Sequence, residues 1–175
     1  MEKNLVFSQG LKTGLIAAAV AIVTVLIAFI LNITMIGWTF QGISYILLIA
    51  VMIYGLLQFR KANGGFMAFA QGLLVVLVAG VVCSVVSYFF NLLYFNLINP
   101  DYINEVMEYS KEAVQKMGMV MNDELEATMR ANAEKSMHFS ILNFTIGIVG
   151  SLVIWSILGS ILGAIFSKKD PSAIA

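Results

Sequence analysis

The chain holds 175 residues, 60% of them hydrophobic and only 11% charged, and its ten basic and ten acidic side chains cancel. Soluble domains carry about 45–50% apolar and about 25% charged residues, so the composition excludes an ordinary soluble fold and predicts an integral membrane protein. Zero net charge offers no basic excess for nucleic acid, and the single cysteine, Cys83, excludes an intrachain disulfide.

No charged residue lies between Lys12 and Arg60, between Lys61 and Asp101, or between Lys135 and Lys168. A charge in mid-span costs about 3 kcal/mol or more, so such gaps mark hydrocarbon. They hold four apolar stretches, residues 13–31, 43–59, 69–95 and 139–166. A bilayer core needs roughly 20 helical residues, with about 17 as the lower limit. The predicted fold is therefore all-α, a single membrane domain over residues 1–175. It is an integral membrane four-helix bundle with an extracytoplasmic amphipathic helical hairpin, residues 99–137, between spans three and four.

The first stretch, Thr13–Leu31, is too long for the apolar region of a signal peptide and lacks a small-x-small cleavage site, so it reads as a retained helix. Gly10, Gly14, Ala17, Ala21, Thr24 and Ala28 recur there at steps of four and three. Small residues let backbones approach closely, which drives helix association where lipid removes the hydrophobic force. The second stretch, Ile43–Phe59, is the shortest and runs into Arg60-Lys61 and the turn signal Asn63-Gly64-Gly65. The third, Phe69–Phe95, carries a mildly polar stripe of Gly80, Ser84, Ser87 and Asn91. The stripe suits interhelical hydrogen bonds of about 0.6 kcal/mol each, with a polar solute lining as the alternative.

Between spans three and four, Asp101–Lys135 carries eight acids against four bases, a net charge of −4. Asn99-Pro100-Asp101 predicts a helix start, with Asn99 as N-cap, Pro100 at N1 and Ile98 and Ile103 at the staple positions. Ile103, Met107 and Val114, then Leu125 and Met129, keep helical spacing on either side of Gly118–Asn122. They predict two amphipathic helices sharing one apolar seam, with Glu105, Glu108 and Glu112 as a possible interaction face. The fourth stretch, Phe139–Phe166, carries Gly147, Ser151, Gly159 and Gly163. Together with Gly10, Gly14, Ala17 and Ala21 these are the predicted helix-packing residues, with an oligomer seam as the alternative use.

Lys3, Lys12, Arg60, Lys61, Lys168 and Lys169 all flank one side of a four-span arrangement, and the connection between spans one and two has none. The positive-inside rule then predicts both termini in the cytoplasm and the acidic hairpin outside, in an inner membrane where the cell has two.

No motif for catalysis or phosphate binding stands out, and Asn63-Gly64-Gly65 lacks the Lys-Ser/Thr that a phosphate loop requires. The expectation is no enzyme, no cofactor and no metal. His138 has no ligand partners, and residence at the interface accounts for it. Met117, Met119 and Met121 are soft donors suited to Cu(I), but methionine equally fills turns and amphipathic faces.

Lys61-Ala62-Asn63-Gly64-Gly65-Phe66, Asn99-Pro100-Asp101-Tyr102 and Gly163-Ala164-Ile165-Phe166-Ser167-Lys168-Lys169 resemble the bacterial four-span membrane family designated domain of unknown function 4199. The resemblance covers nearly the whole chain and is strongest from Arg60 onward. It implies an inner-membrane protein with an acidic, Met-rich outer helical segment, and it implies no activity. Relatives often have Gly-Glu where this chain has Ala70-Gln71, and a Lys near Leu74, so an ion-coupling Glu at that position would be missing here. The expected role is structural or protein-interacting. Its partners are the bilayer and either a second copy or a basic protein at the hairpin, with no nucleic acid. The alternative is a small oligomeric channel or transporter.

Overall fold

A computed structural model describes the backbone of residues 2–118 and 120–168, with side chains from Asn4 onward. Met119, Lys169 and the Lys3 side chain, all used in the sequence reading, lie outside the described residues. Among the described residues there are six α-helices and no strand: α1 Glu2–Ile30, α2 Trp38–Ala62, α3 Phe69–Leu93, α4 Tyr102–Lys116, α5 Asp123–Met137 and α6 Ile141–Phe166. A π-helical turn, Tyr94–Ile98, extends α3. Four segments are long and apolar enough to cross a membrane: Asn4–Ile30, Trp38–Ala62, Phe69–Ile98 and Ile141–Phe166. They contain most of each stretch expected from the sequence. Three run beyond it, because Gln9 and Gly10 in the first, Thr39, Gln41 and Gly42 in the second and Asn96 in the third continue a helix while breaking a hydropathy pattern.

Helix α3 is the axis of the bundle. Its buried residues Gly72, Val75, Val76, Ala79, Gly80 and Cys83 form two adjoining faces, one for α1 and one for α6. Gly10 meets Val75 and Val78, Gly14 meets Ala79 and Val82, and Phe29 meets Tyr94 further along, so α1 runs parallel to α3. On the other face Gly163 meets Phe69, Gly159 meets Leu73, Gly80 meets Trp155, and Tyr88 meets Phe144, so α6 runs antiparallel. Helix α2 packs antiparallel on α1, with Gly55 against Thr13. Without a hydrophobic force between helices in lipid, this contact energy is dispersion gained by close approach, and glycine supplies the approach.

The packing is uneven along the axis. At the end where α2 finishes, Met52, Leu56, Phe59, Val75, Val76 and Ala79 are almost wholly buried. The turn there is made by Gly64 and Gly65 at φ +74° and +90°, backbone that side chains strain to adopt. Met67 and Lys168 exchange backbone hydrogen bonds of 3.0 and 2.8 Å, which tie the α2–α3 turn to the end of α6. Lys168 also places its Nζ 5.8 Å from the Phe66 ring centre. At the other end Trp38, Ile43 and Tyr45 of α2 are exposed, and α2 stands off from α3.

Several sequence expectations need correction. Gly147 does not pack: a Cβ built there meets nothing within 4 Å, because α6 turns Phe144, Trp155 and Gly159 to α3 and Gly147 outward. Ser151 is half-buried and donates to its own helix at Ile148 O. Ala21 is half-buried and lines a cleft. Lys12 is exposed beside Thr13, level with Gly55, seven residues before the end of α2. At 1.5 Å per residue that is roughly 10 Å inside the bundle end, within reach of the headgroups only by snorkelling. Helix α4 starts at Tyr102 with Asp101 as N-cap, and no side chain caps it. Asn99 is buried instead, and its amide is directed elsewhere. The hairpin seam is thin: Met107 is buried, Ile103, Val114 and Met129 are half-buried, and Leu125 is 41% exposed.

Two substitutions test the packing. A Cβ at Gly14 would lie 2.6 Å from the Ala79 carbonyl oxygen, which is backbone and cannot yield cheaply. Gly14→Ala should lower stability in detergent by about 1–3 kcal/mol, as overpacking does. Gly147→Ala, open to lipid and helped by the better helix propensity of alanine, should leave the melting temperature equal or higher. Equal losses in the two variants would contradict this arrangement. In the hairpin, Met107→Ala should cost about 2–5 kcal/mol, as a buried core truncation does, and clearly more than Leu125→Ala. Denaturant titration of the two variants compares them.

Candidate functional site

The loose end of the bundle holds two adjoining cavities. The outer one, a vestibule of about 550 Å³, is lined by Ala28 and Phe29 of α1, the α1–α2 connection from Asn32 to Gly37, Tyr94, Asn99, and Glu105, Glu108, Tyr109 and Glu112 of α4. The inner one, a cleft of about 230 Å³, lies between α1, α2 and α3 and is lined by Ala21, Thr24, Gln41, Ser44, Asn91 and aromatic residues. Met35 and Tyr94, both buried, line both and form the wall between them.

The vestibule is assembled from local rules. Asn32, at φ 52°, turns the chain out of α1, a position asparagine tolerates better than most residues. The π turn closes with Asn99 N–H donating to Tyr94 O at 2.8 Å, and this brings the Asn99 side chain to the Tyr94 hydroxyl. Asn99 Nδ2 donates to Tyr94 Oη at 3.2 Å and to Glu105 Oε1 at 3.0 Å. Asn96 Nδ2 donates to Leu92 O and, at 3.1 Å, to Met137 O, holding the end of α5 to the same turn. Phe95 and Tyr102 stack at 4.8 Å and roof the cleft.

Glu105, Glu108 and Glu112 are spaced three and four apart, so α4 presents them on one face, and that face is a wall of the vestibule. Two of the three nearby bases are directed elsewhere. Lys111 pairs with Glu126 of α5 at 2.7 Å, and Arg130 of α5 reaches Glu134 and Asn104 of α4. Lys116 pairs with Glu112 at 3.3 Å, both well exposed, a contact of about 0.3–0.5 kcal/mol. The seam between α4 and α5 is thus held by cations while the vestibule wall is left to carboxylates. Among the described residues, no three His, Cys, Asp or Glu converge closely enough to hold a metal ion. The acids therefore suit several separate positive charges better than one.

The sequence stripe in span three is divided by the structure. Ser84 accepts the Trp155 indole N–H at 3.3 Å, and Ser87 sits 3.9 Å from the Cys83 sulfur, so both face helix neighbours or their own helix. Asn91 alone faces the cleft. His138 and Met117 are exposed and Met121 is half-buried. Tyr94, Tyr109 and the Asn32–Gly37 connection were not singled out by the sequence, and Asn99 and Tyr102 were named only as a helix start and part of a family motif. The crowding of aromatics and asparagines from Tyr88 to Asn99, where a span should end in a simple apolar run, was the available signal.

With this geometry stands a comparison. The family model described as a protein of unknown function (DUF4199) matches residues 5–168. The chain belongs to this family. No curated protein and no solved structure matches it significantly. The match to DUF4199 includes all four long apolar helices, the hairpin and both cavities. At the position where the resemblance marks a departure, Gln71 of this DUF4199 chain accepts the Ala68 N–H at 2.8 Å and closes the N-terminus of α3. That cap sits at the tight end, far from the vestibule.

Burial, then the Glu105 carboxylate and Tyr94, push the Tyr102 phenol up to about 12. A phenol whose folded value is raised contributes stability that is fully present below its ordinary value near 10 and lost as pH rises toward 12. Absorbance titration of the wild type minus Tyr102→Phe should show a midpoint about two pH units above an ordinary tyrosine. The variant should also lose less stability than the wild type between pH 10 and 12. A difference curve centred near 10 would mean that the roof over the cleft is open.

Proposed function

We propose that this protein is a membrane-anchored interaction protein that holds a basic segment of a partner protein in its acidic vestibule. The observation that carries this reading is the placement of Glu105, Glu108 and Glu112 on one wall of a roughly 550 Å³ groove, where Lys111 and Arg130 are engaged with α5 and only the exposed Lys116 meets the row, at Glu112. Glu108 has no ion-pair partner among the described residues, and the half-buried Tyr109 on the same wall offers an aromatic ring to a cation. Spaced carboxylates with no common focus match a row of lysines or arginines. A binding role is favoured over conduction and catalysis by the tight end, where Leu56, Phe59, Val75, Val76 and Ala79 are at 0% exposure and close the bundle below the cleft.

In this reading the vestibule faces outward from an inner membrane and the termini face the cytoplasm. Support comes from Arg60, Lys61 and Lys168 at the tight end and from the absence of any Lys or Arg in the Leu31–Gly37 connection. In a Cys83→Ala background, Val120→Cys should react with an impermeant thiol reagent in cells with a permeabilised outer envelope, and Asn4→Cys should not. Labelling of Asn4→Cys alone would invert the orientation.

Binding is tested with the protein in nanodiscs and a fluorescent oligo-lysine peptide. Glu108→Gln with Glu112→Gln should weaken binding about tenfold or more, and the wild-type affinity should fall as salt rises. The matched pair Glu124→Gln with Glu134→Gln, on exposed α5, removes the same charge away from the groove. If both pairs weaken binding equally, the peptide reads net charge and the vestibule reading fails.

A further inference from the structure

We propose that the cleft between α1, α2 and α3 binds an uncharged membrane amphiphile, a single apolar chain whose hydroxyl, ester or amide head meets Asn91. Besides the phenols of Tyr94 and Tyr102, four polar side chains line the cleft, and three of these four are already engaged. Thr24 donates to Val20 O at 2.8 Å, Ser44 to Phe40 O at 2.9 Å, and Gln41 to Met35 O at 3.1 Å. The Asn91 carboxamide, which offers two donors and an acceptor, enters no hydrogen bond among the described residues. Its neighbours in sequence behave otherwise: Asn96 and Asn99 each make two.

Depth makes this matter. Asn91 lies seven residues before the end of its span at Ile98, and Thr24 and Ser44 lie six residues from the ends of theirs, so the polar ring is at one level. At 1.5 Å per residue the level is roughly 10 Å inside the span ends, where hydrocarbon leaves a polar group without hydrogen-bond partners. A ligand atom that accepts from or donates to Asn91 supplies one. The cleft has no charged lining residue, so a charged head would carry the penalty of burial uncompensated. Its volume of about 230 Å³ falls below the ~300–1,000 Å³ of sites that enclose whole small molecules. The occupant therefore enters in part and leaves its remainder in the bilayer. Ile43, Ile46 and Leu47, exposed beside the cleft wall on α2, border that lipid. The wall of Met35 and Tyr94 separates this site from the vestibule, so the inference does not depend on the basic-partner reading.

The test uses the full chain in phosphatidylcholine nanodiscs and hexadecanol bearing a diazirine, with labelled residues mapped by mass spectrometry. Labelling should concentrate on residues 20–25 and 40–48 and be displaced by unlabelled hexadecanol. It should fall about fivefold in Asn91→Leu, the loss expected for one hydrogen bond, and be retained in Asn91→Gln. The outward face of α6 at Ile146, Val149 and Val153 should label equally in all variants, without competition, reporting ordinary lipid contact and an intact fold. A trimethylammonium probe of equal length should label that face alone. Cleft labelling that cannot be displaced, or displaces equally with the ammonium probe, overturns the proposal. So does unchanged labelling in Asn91→Leu. If Asn91→Leu does not fold, displacement in the wild type decides the outcome.

Discussion

Backbone-to-backbone contact along α3 is the constraint from which the rest of the architecture follows. In lipid a leucine gains nothing by leaving the solvent for a neighbour, so helices are held by dispersion over many atom pairs at short range. Gly10 and Gly14 provide that range toward α1, and Gly72, Gly80, Gly159 and Gly163 toward α6. These residues cluster in the half of the bundle that holds the chain ends. The other half of α3 and its π turn carry Tyr88, Phe89, Phe90, Tyr94 and Phe95, whose rings pack with ring centres 5.0–6.4 Å apart, most of them edge to face and Phe90 tilted on Tyr94. Small residues at one end and rings at the other make a bundle that tapers. The vestibule and cleft are the open end of that taper.

The hairpin is fastened to this end mainly by polar contacts. Its own apolar seam buries one residue fully, Met107, and leaves α5 with none. What positions it is the π turn, the Asn96 and Asn99 amides, and cation-mediated links between α4 and α5. A segment held this way has low local stability and responds to salt. The same links explain the charge segregation. Lys111 and Arg130 serve the seam between the hairpin helices, so the only cation paired with the Glu face opposite, among the described residues, is the exposed Lys116 at Glu112.

Much of this was legible in the sequence, for a physical reason. Exclusion of charge from hydrocarbon is worth several kcal/mol per residue, so the charge-free gaps located the four long helices, and helical spacing located the hairpin. Which small residues pack was legible only in part, because periodicity gives a face and not its orientation. Gly10, Gly14, Ala17, Gly159 and Gly163 are buried, whereas Gly147 on the same helix as Gly163 is turned to lipid. Asn99 reads as an N-cap from its neighbours, yet the π turn adds a residue per turn and carries it inward. Rare backbone of this kind has no reliable sequence signal. The cavities were illegible because they arise from helices that stand apart, a property of pairs distant in sequence such as Ser44 and Asn91.

One end of the molecule thus joins two solvents across a single wall of Met35 and Tyr94. Outside the wall, carboxylates are solvated and a cation is the complementary ligand. Inside it, within roughly 10 Å, the dielectric falls and only neutral hydrogen-bonding groups are affordable. The residues obey the boundary: Glu105, Glu108 and Glu112 stand on one side, and Thr24, Gln41, Ser44 and Asn91 on the other. Tyr94 touches both because a phenol suits both, its ring packed among Phe29, Phe90 and Phe95 and its hydroxyl accepting from Asn99. A change that shifts Tyr94 would therefore be felt in both compartments, the physical route by which occupancy of the cleft and of the vestibule would be coupled.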